Sequence, residues 1–241
     1  YRLETKNKKE RTLLCDIIHH LTFPTLRNDF HELLENGVNN RKSLETAVFT
    51  LSRFGNPTLR ISEFSLKLDH FVEMVEPAIR YRLDERRRMK QLIKFVFEDL
   101  NFSGDTDDYH NPANCFLDQV IRRRRGLPIT LSMVVMFLAR RLDMPFFGVN
   151  MPIHFMLNYV SEKEEVLIDP YDNGAIVTYD QCYFFLKKNN IEPKPDHFKI
   201  ATDLEILVRC IRNLIHSYER QEMPDRVEHL KELLALAEMY Q

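Results

Sequence analysis

Cysteine is sparse in this 241-residue chain, and the four present, Cys15, Cys115, Cys182 and Cys210, are scattered. Neither their number nor their spacing suits a disulfide framework or a zinc site, which favours a reducing compartment. An excess of charge of one sign is also missing. Lys and Arg total 34 against 36 Asp and Glu, a net charge of -2, so no global field draws the chain to nucleic acid or to a membrane surface. Long apolar runs are absent as well. The longest, Leu131 to Ala139, is far too short to span a bilayer and contains Ser132. No signal-peptide pattern is visible, and the first residue is Tyr1 rather than methionine, which leaves the native start open. Together these absences predict a soluble, cytoplasmic protein.

What is present divides by pattern. From Asn7 to about Leu100, stretches such as "LLCDIIHHLTF", "SLETAVFTLSRFG", "FSLKLDHFVEMV" and "MKQLIKFVFEDL" space Leu, Ile, Val and Phe three and four apart. That is the period of a helical bundle, here of four or five helices broken at Gly37, Gly55 and Pro57. The following "NFSGDTDDYHNP" is polar and turn-rich and reads as an ordered loop. His110 with Asp105, Asp107 and Asp108 matches no standard metal loop, so a solvated turn is expected there, with no metal and no cofactor.

Two helices come next, over 114–124 and 128–142. The second carries Leu131, Val134, Val135, Leu138 and Leu142 on one face and Met133 and Phe137 on another, the pattern of a central helix. Its abrupt start has a local cause. Pro128 suits the first helical position, where a missing N–H costs nothing, and Gly126 lets the chain turn in tightly. After Pro145, "FFGVNM", "IHFMLNYV" and "EVLID" are short aromatic and β-branched runs, the last two joined by a charged "SEKE" turn. "AIVTYDQCYFFLKK" gives a strand and then a helix opened by a Thr178–Gln181 capping box. From Thr202 two amphipathic helices broken at "QEMPD" match a tetratricopeptide unit in length and spacing, with a coiled-coil hairpin as the plainer reading.

The strands raise a chemical question. A hairpin centred between Ser161 and Glu162 would set His154 directly opposite Asp169, with Cβ atoms about 5 Å apart, within reach of an imidazole–carboxylate hydrogen bond. Helix, then His strand, then Asp strand is the order of a papain-like cysteine enzyme. Such an enzyme needs a thiol at the mouth of its central helix, where the helix dipole and a neighbouring His create the thiolate. None stands there in "RRRRGLPITLS".

The run "NPANCFLDQVIRRRRGLPITLSMVVMFLARRLDMPFFGVNMPIHFMLNY" followed by "LIDPYDNG" resembles the core of the transglutaminase-like superfamily. Within it the chain is most similar to a branch holding a bacterial protein named for regulation of invasion genes and a domain of a eukaryotic F-box protein. The resemblance covers residues 101 to 186, and the terminal helices look like the tetratricopeptide tail of bacterial members. It implies an α+β fold: an N-terminal helical bundle over 1–100, a papain/transglutaminase-like core over 101–200 with its central helix packed on a small antiparallel sheet, and a helical hairpin over 201–241. In catalytic members the helix opens with Gly, any residue, then Cys. Here Gly126, Leu127 and Pro128 take those places, and proline is no nucleophile. The His and Asp of the triad carry over onto His154 and Asp169, with Pro170 completing the D-P motif.

Two functions follow from that departure. The first is a catalytically silent protein-binding or adaptor module with an unidentified protein partner. Asn114, Arg124, Arg125, Gly126 and Pro128 around the helix mouth are its candidate binding residues. The second is a cryptic hydrolase or acyl transferase that uses Cys115, Thr130 or Ser132 beside His154 and Asp169. For Thr130 and Ser132 the structural alternative is helix capping and core hydrogen bonding. For Cys115 it is a small residue near a helix start, and for His154 with Asp169 a buried, satisfied pair. Arg122 to Arg125, with Arg86, Arg87 and Arg88, offer a basic face, but helical spacing spreads consecutive arginines around the axis. Pairing with the acidic "GDTDD" loop and the helix C-terminus is expected instead of nucleic-acid binding.

Overall fold

A helix that is apolar on every side has to be surrounded, and the rest of the chain is arranged to do so. In the computed structural model, which describes residues 2–37, 43–80 and 84–241, every residue from Pro128 to Ala139 is buried. Of the helices that precede it, α1 (Arg2–Glu35), α2 (Ser43–Ser52), α3 (Ile61–Arg80) and α4 (Glu85–Lys94), the last two pack directly on this helix, α6 (Pro128–Arg141), while α1 packs on α2. A π-helical turn, Phe95–Asp99, continues α4. At ~1.5–3 kcal/mol for each large apolar side chain taken out of water, α6 supplies the densest block of stabilisation in the molecule. Its charged C-terminal end is anchored separately. Arg141 bridges to the buried Glu45 of α2 at 2.5 Å and to Asp69 of α3 at 2.6 Å, and Arg140 meets Asp203 at 2.5 Å.

On the other side of α6 lies an antiparallel meander of β3 (Phe146–Val149), β4 (Met156–Val160), β5 (Glu165–Asp169) and β6 (Ala175–Val177), in that order. The pleat divides its side chains. Leu157, Tyr159, Val166 and Ile168 join the main core, while Met156 and Leu167 face a smaller cluster with Cys182 and Leu186 of α7 (Tyr179–Lys188). A reciprocal Thr178–Gln181 capping box opens α7. Helices α8 (Asp203–Arg220) and α9 (Pro224–Glu238) form an antiparallel hairpin. One continuous core runs from Phe30 and Phe49 through Phe137 to Leu214 and Leu230. Among the described residues no helix is long and apolar enough to cross a membrane.

Two local expectations are corrected. The helix expected to begin at Asn114 begins at Leu117: α5 is Leu117–Arg123, preceded by a 3-10 turn over Pro112–Asn114. Asn111 caps that turn by accepting the Ala113 N–H, so the proline-containing segment finishes its own hydrogen bonding before α5 starts. The β4–β5 hairpin is also centred one residue later than expected, between Glu162 and Lys163. Leu157 therefore pairs with Ile168 and Val160 with Glu165. The cause is Ser161, whose backbone N–H bonds the Glu164 carbonyl and whose hydroxyl takes the Lys163 and Glu164 N–H groups. His154 consequently falls in a bend before β4. The stretch read as an ordered loop includes the two-residue strand β1 (Ser103–Gly104), paired in parallel with β2 (Arg125–Gly126).

Candidate functional site

His154 and Asp169 meet despite the shifted register. Nε2 of the imidazole lies 2.9 Å from Oδ1 of the carboxylate, and both side chains are mostly buried. The same Oδ1 accepts the backbone N–H groups of Tyr171 at 2.8 Å and Asp172 at 3.3 Å, as in an Asx turn. Burial alone would push the Asp169 carboxyl up. The hydrogen bond and charge of His154, with the two N–H groups, outweigh it and hold Asp169 below its ordinary value. The arrangement fixes the ring through Nε2, and the Phe185 ring of α7 stands 5.8 Å from it.

The segment after Asp169 ties this pair to the start of the central helix. The Tyr171 hydroxyl donates to the Asp105 carbonyl at 2.9 Å, and its ring lies over Gly104, where an added Cβ would come within 2.5 Å of it. Gly104 pairs with Gly126, two residues before Pro128. Gly126 has no spare room either, since a Cβ there would sit 2.6 Å from Thr130 Oγ1. Close backbone approach thus requires glycine at both positions. The Thr130 hydroxyl closes the helix start. It accepts the Leu127 N–H at 2.9 Å and lies 2.9 Å from the Asn114 carbonyl, to which it donates.

The other candidates are placed elsewhere. Cys115 is buried with Sγ 3.6 Å from the Ser217 hydroxyl of α8, and burial pushes its thiol up to about 12. Ser132 is wholly buried and its hydroxyl has no partner among the described residues. Among the described residues neither of these, nor Thr130, hydrogen-bonds His154. Asn114 is an internal brace, donating to the Asp108 carbonyl at 2.8 Å and accepting from Arg123 at 2.9 Å.

The four arginines diverge. Arg122 lies 5.1 Å from the Phe64 ring, and Arg123 bridges to the buried Asp105 at 2.9 Å. Arg124, in the left-handed region with φ 59°, inserts its guanidinium between Phe71 and Phe102 at 4.6 and 4.5 Å. Arg125 pairs with Asp107 at 3.1 Å. Burial lowers the Arg124 guanidinium from its ordinary value without neutralising it, and cation–π contacts of ~1–2 kcal/mol offset part of that desolvation. Of the second arginine group, Arg86 pairs with Glu164 and Arg87 with Asp84.

One feature of the site has no signature in the spacing. Ile153, next to His154, has φ 56°, a conformation costly for a β-branched residue, and its side chain is half exposed. Phe184 and Phe185 of α7 are exposed as well, Phe184 at 71%. An apolar side chain before His154 and an exposed aromatic pair in "YFFLKK" were the available signals, and neither is specific.

Residues 62–212 match the model of the transglutaminase-like superfamily. The chain belongs to the transglutaminase-like superfamily. Similar superfamily relatives include a UPF0162 protein of Vibrio cholerae, 27% identical over 74% of this chain and 67% of the relative. Another UPF0162 protein, of Pseudomonas aeruginosa, is 33% identical over 63% of this chain and 56% of its own length. F-box only protein 21 of Mus musculus is 24% identical over 91% of this chain, which spans only 39% of that protein. No solved structure matches.

Proposed function

We propose that this chain is a transglutaminase-like domain without acyl-transfer activity that acts as a protein-binding or adaptor module. The observation that carries the reading is Pro128 in the first turn of α6, the place of the superfamily's nucleophile. A tertiary amide nitrogen and a hydrocarbon ring can neither attack a carbonyl nor hold a thiolate. His154 and Asp169 remain as a clasp that binds the bend before β4 to the end of β5. The partner is a protein, met where Ile153 and Phe185 expose apolar surface beside His154, with Phe184 exposed on the same helix as Phe185. The α8–α9 hairpin is tetratricopeptide-like and contributes a second docking element. The module works in the cytoplasm, in keeping with four free cysteines. Nucleic acid is not its partner, since Arg123 and Arg125 pair with acids and Arg124 lies between aromatic rings.

The test is labelling of the full chain with iodoacetamide and with a fluorophosphonate, in wild type and His154→Ala, beside an assay for transfer of a fluorescent primary amine onto a glutamine donor. The reading expects no transfer and no labelling that depends on His154. His154-dependent labelling of Cys115, Thr130 or Ser132 would overturn it in favour of a cryptic hydrolase or acyl transferase.

A further inference from the structure

Away from the His–Asp pair, a cavity of about 380 Å³ opens between the turn after α2, the start of α5 and the α8–α9 turn. That volume lies in the range of small-molecule sites. Its walls are rich in hydrogen-bonding side chains: Asn56, Asn111, Asp118, Gln119, Tyr218 and Arg226.

Asp118 is the unusual member. It is a carboxylate with no exposed surface. Oδ2 accepts from the Gln119 amide at 2.8 Å and, weakly, from the Asn56 amide at 3.5 Å, while Oδ1 has no partner among the described residues. No cation pairs with it within salt-bridge distance among the described residues. Arg226 shares the cavity but is engaged with Asp16 at 3.1 Å and with the Cys15 carbonyl. A buried carboxylate oxygen without a partner costs several times what an ordinary hydrogen bond contributes, so its retention calls for a compensating group. Asn56 and Gln119, the amides bonded to Oδ2, are themselves half-buried and line the cavity.

We infer that this cavity is a binding site for a small organic cation, an alkylammonium or alkylguanidinium, whose N–H groups pair with the Asp118 carboxylate. The neighbouring amides and the Tyr218 hydroxyl accept its remaining donors, and the Phe116 ring and Met223 pack its carbon stem. An anion is disfavoured by the buried carboxylate, whose Oδ1 is unpaired, and a wholly apolar ligand would leave the polar walls unsatisfied. Burial raises the Asp118 carboxyl above its ordinary value, against the hydrogen bonds of Gln119 and Asn56. The site does not depend on the module reading above.

Titration calorimetry on the full chain tests it, with agmatine and n-pentylamine as probes and n-pentanol as the neutral counterpart. Saturable binding of at least one cation and none of n-pentanol is expected. Asp118→Asn, which keeps the shape and removes the charge, weakens that binding at least tenfold. Ala113→Phe, which fills the cavity from a half-buried wall position, abolishes it while circular dichroism reports an intact fold. Absence of saturable binding by either cation, or affinity unchanged in Asp118→Asn, would overturn the inference.

Discussion

Sγ of Cys115 lies 3.6 Å from Oγ of Ser217, so the thiol nearest the central helix in sequence faces α8 and not the imidazole of His154. With its thiol pushed up to about 12, the thiolate fraction at neutral pH is negligible. Under native conditions iodoacetamide is expected to modify the exposed Cys15 fast and Cys115 only on unfolding, as read by peptide mass spectrometry. Rapid native alkylation of Cys115 would contradict the packing.

Replacing Thr130 separates a capping hydroxyl from a reactive one. Thr130→Val keeps the shape but orphans the Leu127 N–H and the Asn114 carbonyl, at a cost of ~2–4 kcal/mol. Thr130→Ser retains the hydroxyl and is expected to restore most of the loss, measured by urea denaturation. Gly126→Ala, whose new methyl would press on the same hydroxyl, should resemble the valine variant.

The pH dependence of the His154–Asp169 clasp follows from sign. The Asp169 carboxyl is held below its ordinary value, so its contribution is fully present above pH ~4 and is lost as pH falls through the lower, folded-state value. Asp169→Asn should therefore cost ~1–2 kcal/mol at pH 7 and progressively less below pH 4. A difference between the two proteins that stays constant from pH 7 to pH 3 would refute this.

A second histidine pair predicts an acid response with a different origin. His19 Nε2 lies 2.9 Å from His229 Nδ1, joining α1 to α9. Burial, aided by Arg226 and the neighbouring histidines, lowers His19 to about 3, and His229 is lowered too. The unfolded chain thus binds these protons more readily, and stability falls as pH drops below ~6.5. His19→Gln should flatten the decline between pH 6.5 and pH 4 in thermal melts.

At Ile153 the expected sign is unusual. Glycine accepts φ 56° freely, so Ile153→Gly should relieve ~1 kcal/mol of strain and leave stability equal or higher despite the lost side chain. A drop beyond 1 kcal/mol in denaturant unfolding would mean that the exposed side chain is packed more firmly than its half-exposed position implies.

Elements with strong periodicity were legible in the sequence. The apolar girdle of α6, Pro128 at its start and the capping box of α7 each follow from local rules and appear where those rules put them. The hairpin register was not legible, because "SEKE" has no Asn-Gly or Asp-Gly to mark the centre of its turn, and the Ser161 hydroxyl decides it. Pairing of His154 with Asp169 survived the error through the bend before β4, from which the imidazole reaches the Asp169 carboxylate at 2.9 Å. Asp118 and Cys115 were opaque for a different reason. Their surroundings come from α8 and the turn after α2, far away in sequence, and no local pattern encodes a long-range neighbour.

The arginine run has a final consequence for handling the protein. Arg122 to Arg125 present four consecutive bonds of the kind trypsin cuts, yet cleavage requires a stretch of chain that can be drawn out into the enzyme's groove. Here the run passes from a helix through a left-handed residue into a paired strand, with Arg124 held between two phenyl rings. The folded chain should resist digestion at its most basic point, and a cut there would mark the opening of its centre.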